Sequence, residues 1–184
     1  MNNCYLDAEA VITFFRMTGR KHIFITGSRG SGKSHLVNNM LKHMSDSFNL
    51  LQSHRTDTPQ VVIRSNLVAD NKEFVIGVPR TSGINPASKG NNMTIIEDGF
   101  INCAIPAIDT HLDTTPERLF VIDELGYLES SCIPFQKAVE KLLDNSHVLA
   151  VIRKQSTEFL NRICNRKYVL VIDIDSTFET LSCI

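Results

Sequence analysis

Between Gly27 and Ser34 the chain reads GSRGSGKS, which satisfies the pattern GxxxxGK[ST] at every specified place. Glycines so spaced let the backbone curl until successive N–H groups face inward, and a helix starting near Lys33 adds the positive end of its dipole. Main-chain donors in that arrangement capture an anion with many oxygens, and a polyphosphate chain is the natural guest. Gly27, Ser28, Arg29, Gly30, Ser31, Gly32, Lys33, Ser34 and His35 are the expected binding residues. Lys33 would reach the β and γ phosphates, and Ser34 would give its hydroxyl oxygen to Mg²⁺.

A second run, LFVIDELGYLE from Leu119 to Glu129, carries the acids that such a loop needs. An apolar strand delivers a carboxylate to its C-terminal end, so Asp123 is the second candidate for holding Mg²⁺, through its water shell. Glu124, one residue on, would orient or deprotonate a water attacking the γ phosphorus. An isolated Asp-Glu pair usually only starts a loop; the glycine run upstream favours the catalytic reading. Gly126 is read as permitting a tight turn, and Glu129 as a helix cap or a solvent-facing acid.

Both runs must hang from strands, and the pattern around them supplies these. His22 to Thr26 is a short β-branched strand, and Lys33 to Met44 places Leu36, Val37, Met40 and Leu41 at helical spacing. A leading helix over Tyr5 to Met17, within residues 1–20, stops at Thr18-Gly19. Asn49 to Gln52, Val61 to Leu67 and Glu73 to Val78 read as short strands, the last two joined by a turn at Ala69-Asp70-Asn71-Lys72. Thr81 to Met93, rich in Ser, Gly, Asn and Pro, reads as an exposed loop, so residues 57–93 form a hairpin-and-loop excursion. Gly99 to Leu112 suits a helix despite Pro106. Pro134 to Leu143 and Ser156 to Cys164 read as helices alternating with strands His147 to Ile152 and Tyr168 to Ile174. This β-α alternation predicts an α/β fold, a mostly parallel sheet flanked by helices, in one domain spanning 1–184.

The 184 residues carry 19 Lys plus Arg against 20 Asp plus Glu. A balance near zero provides no global field for nucleic acid or an anionic membrane, so neither is an expected partner. Five widely spaced cysteines without a CxxC pair suit free thiols in a reducing cytoplasm, and the apolar patch Ala10 to Phe15 is too short for a span or signal.

With GSRGSGKSHLV, LFVIDELGYLESSCIPFQKAVEKLL and HVLAVIRK in view, the chain resembles the P-loop nucleoside-triphosphatase family related to cancer-related nucleoside triphosphatase. The likeness is clearest over Lys21 to Met44 and Gly99 to Arg153, and includes an acid pair followed by a variable residue, a Gly, two residues and a Glu. It implies a compact RecA-like domain and Mg²⁺-dependent hydrolysis of nucleoside triphosphates such as ATP or GTP, with loose base preference. It also implies that the strand His147 to Ile152 lies between the loop strand and the Asp123 strand, so that Arg153 emerges beside the γ phosphate; there its guanidinium is either a catalytic cation stabilising the transferring phosphoryl group or a solvated strand-end charge. Members carry a glycine-rich GGF segment after the first helix, where this chain reads LLQSHRTD from Leu50 to Asp57; His54, Arg55 and Asp57 are read as solvated loop residues.

Two other functions fit parts of the pattern. A small nucleotide or metabolite kinase would use the same loop and acid, but between Val78 and Leu119 the only Lys or Arg residues are Arg80, Lys89 and Arg118, which is thin for a lid. A nucleotide-gated module would present Val61 to Met93 to an unknown protein partner. Tyr127, Phe159 and Tyr168 are the aromatic side chains that might stack on a base, and core packing is the commoner role for each.

Overall fold

The computed structural model describes residues 6–44, 47–68, 72–80 and 93–176. Helix α1 (Ala8–Thr18) starts where the Asp7 carboxylate accepts the Ala10 N–H at 3.0 Å, and ends where Gly19 turns left-handed at φ 63°. Strand β1 (His22–Thr26) feeds the glycine loop and then α2 (Lys33–Met44). Strands β2 (Phe48–Arg55), β3 (Val61–Ser65), β4 (Phe74–Pro79) and β5 (Met93–Ile95) follow. A helical stretch comes next, built of α3 (Glu97–Gly99), a π-helical turn (Phe100–Ala104) and α4 (Ile105–Thr114). The chain closes with β6 (Leu119–Leu125), α5 (Ile133–Asn145), β7 (His147–Ile152), α6 (Glu158–Cys164) and β8 (Val169–Asp173).

All eight strands form one sheet in the order β5-β4-β3-β2-β6-β7-β1-β8. The run from β2 through β6, β7 and β1 to β8 is parallel, and β3, β4 and β5 extend it antiparallel. The expected excursion is therefore continuous with the main sheet: β2 pairs with β6 from Phe48↔Leu119 to Gln52↔Asp123, and β3 pairs back onto β2. Met93, assigned to the loop from sequence, starts β5; residues 69–71 of the expected turn and 81–92 of that loop lie outside the described residues. As implied by the family resemblance, β7 lies between β1 and β6.

Side-chain alternation gives each parallel strand two apolar faces. Ile23, Ile25, Val121, Leu149 and Val151 pack with Val11, Ile12, Leu36, Val37 and Met40 of α1 and α2. Phe24, Phe120, Ile122, Val148 and Ala150 pack on the opposite side with Phe100, Ile108, Phe135, Leu142, Phe159 and Leu160. Each large side chain so buried contributes about 1.5–3 kcal/mol, which is why runs apolar at consecutive positions are stable only between two helical layers.

Pro106 does not end its helix. It sits at the start of α4, directly after a turn in which the Ile105 N–H reaches back to Phe100 O, so the helix has already widened where an ordinary turn would need the missing N–H. Gly99 lets this stretch lie on β4: a Cβ there would fall 2.3 Å from the Val75 carbonyl oxygen. At the amino end of the sheet His111, fully buried, joins Asn49 (2.8 Å) through Nδ1 and Ser146 (2.7 Å) through Nε2.

Candidate active site

The loop between β1 and α2 takes left-handed backbone at Gly30 (φ 77°) and Gly32 (φ 91°), and Gly27 has φ 152°. A Cβ on Gly27 would stand 2.7 Å from Ile174 Cγ1 and 2.9 Å from Ser31 Oγ, so the first glycine is required by close approach as well as by conformation. The Leu36 N–H bonds Gly32 O at 2.9 Å, opening α2 at the end of the loop. Lys33 folds back over the run it follows: its ammonium donates to the carbonyls of Gly27 (3.0 Å) and Ser28 (2.8 Å). Arg29 and His35 are exposed, and the His35 ring meets Asn39 at 3.1 Å along the helix.

Strand alternation explains how Asp123 reaches this loop. Val121 faces α1 and α2, so Asp123, two residues on, faces the same way, and the Ser34 hydroxyl at the start of α2 donates to Asp123 Oδ1 at 3.2 Å. Burial pushes the Asp123 carboxyl above the usual carboxylate range; the Ser34 hydrogen bond opposes this, Glu124 adds to it, and Gln52 and Lys33 oppose it. Strict alternation would turn Leu125 towards α2 as well. Instead Leu125 belongs to the opposite core, because the register with β7 shifts between Asp123 and Leu125 and leaves Glu124 as an extra residue at the bulge.

Glu124 is held by Arg153, whose Nε donates to Oε1. The Arg153 N–H bonds Leu125 O at 2.9 Å, carrying the β6–β7 ladder one step past β7 and fixing where the guanidinium starts. Its side chain then crosses Gly126, where a Cβ would lie 2.8 Å from Arg153 Cδ. Gly126 thus serves close approach, not a left-handed turn. Glu129 neither caps α5 nor faces solvent: it is 5 % exposed and accepts from the Gly126 N–H at 2.9 Å and from Ser53 Oγ at 3.3 Å. Burial holds its carboxyl above the usual range. Ser53 also lies 3.5 Å from both the N–H and the carbonyl of Glu124, so Ser53 and Glu129 together brace the acid's backbone.

Lys33, Ser34, Asp123, Glu124 and Arg153 are therefore gathered at the carboxyl ends of β1, β6 and β7. His54 lies within β2 and pairs with Glu73 at 3.1 Å. Phe159 is part of the core and Tyr127 packs against that core, while Tyr168 precedes β8 at the other end of the sheet. Sequence reasoning missed Ser53 and the pair Lys154 and Asp175. A partial signal was present, since Val171-Ile172-Asp173 repeats the Val121-Ile122-Asp123 that delivers an acid to a strand end, although it marks Asp173, two residues before Asp175.

Two oxygen donors side by side, a hydroxyl and a carboxylate, suit a hard cation that completes its shell with phosphate oxygens and water. Among the described residues no cluster of three or more His, Cys, Asp or Glu forms a separate metal site, and no helix is long and apolar enough to cross a membrane.

The model of a family described as NTPase matches residues 22–178, the span from the first residue of β1 to beyond β8. The chain belongs to the NTPase family. Within that family it is an enzyme of nucleoside triphosphate hydrolysis, and the kinase alternative is not favoured. Nucleoside-triphosphatases THEP1 of Thermotoga maritima and Thermotoga petrophila are 23% and 24% identical to it over 154 residues, covering 83% of the chain and 86% and 83% of those proteins. Its fold is similar to that of THEP1 from Aquifex aeolicus, with a TM-score of 0.65 at 18% identity over 87% of this chain and 96% of that one. A human cancer-related nucleoside triphosphatase matches with a TM-score of 0.62 at 19% identity, over 89% and 96%.

Proposed function

We propose that this NTPase works as a single P-loop domain, hydrolysing nucleoside 5′-triphosphates to diphosphate and phosphate with Mg²⁺ and with loose base preference. The contact between Ser34 and Asp123 carries this reading, because it joins the phosphate loop to the acid strand across β7. Ser34 and Asp123 would hold Mg²⁺, which when bound neutralises charge on the phosphate oxygens. The loop from Gly27 to His35 would bind the triphosphate, with the Lys33 ammonium keeping its seat on the Ser28 carbonyl and turning its other donors to the β and γ phosphates.

Glu124 would accept a proton from water as the water oxygen bonds the γ phosphorus and the bond to the β–γ bridging oxygen breaks. Arg153, which bonds Glu124 before substrate arrives, would turn its guanidinium to the transferring phosphoryl group. Loose base preference is carried over from the family resemblance; of the aromatic candidates for stacking, Phe159 is core, Tyr127 packs against that core and Tyr168 lies at the far end of the sheet. The free thiols of Cys103, Cys132 and Cys164 suit action in the reducing cytoplasm.

Phosphate release from ATP, GTP, CTP and UTP, with and without Mg²⁺, tests the proposal. All four should turn over with Mg²⁺ at rates within about tenfold of one another, a spread of about 1.4 kcal/mol, and Lys33→Ala should lose triphosphate affinity. Release that is independent of Mg²⁺, or confined to one base, overturns the corresponding part.

A further inference from the structure

We infer that Asp175 is a positioning residue of the nucleotide site, gripping Ser28 so that the Ser28 carbonyl seats Lys33, with Lys154 holding Asp175 in turn. Asp175 lies two residues beyond β8, outside the motifs that carry the family resemblance. Its Oδ2 accepts from the Ser28 N–H at 2.7 Å, from the Ser28 hydroxyl at 2.7 Å and from the Lys154 ammonium at 3.0 Å. Two bonds to one loop residue, one from main chain and one from side chain, fix the orientation of that residue. The Ser28 carbonyl in turn receives the Lys33 ammonium at 2.8 Å, the Ser31 hydroxyl at 2.7 Å and the Ser31 N–H at 3.2 Å. One carboxylate thereby sets the residue on whose carbonyl three of the loop's bonds converge.

The backbone makes this grip stiff. Ile174 donates its N–H to Thr26 O at 2.9 Å, so β8 follows β1 up to the threshold of the loop. Only a glycine at position 27 admits this approach, since a Cβ there would stand 2.7 Å from Ile174 Cγ1 and 3.2 Å from Asp175 Oδ1. An acid so near a triphosphate site would repel its substrate if left alone. Lys154 offsets that charge, bonding Asp173 at 2.8 Å as well as Asp175. The Ser28 hydroxyl and Lys154 hold the Asp175 carboxyl down at about 2, so it is ionised at neutral pH. An ordinary exposed ion pair contributes little wherever it falls. This one is distinguished by ending on the residue that seats the catalytic lysine.

The inference rests on the proposed nucleotide site and is tested beside it in the full chain. KM and kcat for ATP, and the Kd of a nonhydrolysable ATP analogue with Mg²⁺ by calorimetry, are measured for Asp175→Ala, Asp175→Asn and Lys33→Ala. Asp175→Ala should raise KM and Kd about tenfold while kcat stays within about threefold, because the loop is loosened in ground and transition state alike. Asp175→Asn, which keeps an acceptor oxygen for the Ser28 N–H, should recover part of that loss. A lowered melting temperature with parental KM and Kd marks a merely structural role and overturns the inference. If Asp175→Ala does not fold, Asp175→Asn and Lys154→Met carry the same comparison. Parental binding by the Asp175 variants beside a non-binding Lys33→Ala overturns this inference alone; parental binding by Lys33→Ala overturns the nucleotide reading and this inference with it.

Discussion

Replacing Glu124 by Gln separates the acid's two roles, as base and as partner of Arg153. The amide oxygen can still accept from Arg153 Nε, so the guanidinium keeps a partner but a weaker one, and the negative charge and the proton acceptor are lost. The Arg153 side chain is 44% exposed and that of Glu124 23%, and a pair so wetted contributes about 1 kcal/mol or less. Releasing Arg153 from that attraction favours its turn towards phosphate, so triphosphate binding should stay level or tighten by up to about fivefold. Removing the base should slow hydrolysis by about 10²-fold or more, a barrier increase of about 2.7 kcal/mol. Single-turnover phosphate release, paired with calorimetry of a nonhydrolysable analogue, reads both quantities. Hydrolysis at the parental rate refutes Glu124 as base. Binding weakened beyond about tenfold refutes the account of Arg153, since Glu124 would then be its anchor in the bound state.

Gly99→Ala places a methyl 2.3 Å from the Val75 carbonyl oxygen, and should lower stability by about 1–3 kcal/mol in denaturant unfolding while leaving KM unchanged. His22, 3 % exposed, has its imidazole lowered from 6.5 to about 4 by burial, helped by His147 and Lys21. It is neutral in the folded chain and protonated in the unfolded one between those values. Its contribution is therefore complete above pH about 6.5 and falls by about 3 kcal/mol as pH drops to about 4. His22→Leu should flatten that part of the stability profile, measured by urea unfolding across the range.

Local pattern was sufficient where local forces decide. His22 to Thr26, Lys33 to Met44 and His147 to Ile152 match their elements end for end, because glycine punctuation and apolar periodicity mark them without reference to the rest of the chain. Asn49 to Gln52 was legible as a strand, but its place beside β6 was not, since parallel pairing joins residues about seventy apart. The site divides in the same way. Lys33, Ser34, Asp123 and Glu124 stand at fixed spacings within two short runs, and the family read from those runs is the one that the comparison shows. The bonds from Arg153 to Glu124, Glu129 to Ser53 and Asp175 to Ser28 are set by strand order, which no short run encodes. Glu129 was misread because a carboxylate three residues past a glycine usually meets water; here the bend of the chain turns it inward onto the Gly126 N–H.

β7 carries no phosphate-gripping group within its own length, Arg153 following directly on its end, yet it is flanked on one side by the strand that leads to Lys33 and on the other by the strand that ends in Asp123. A molecule bridging those two side chains would lash both neighbours together over its end. The amides of Val148 to Val151 would then exchange with deuterium only when the bridge opens, so ligand binding would be recorded as slowed isotope uptake in a strand whose own side chains, apart from the end-standing His147, are turned into the core.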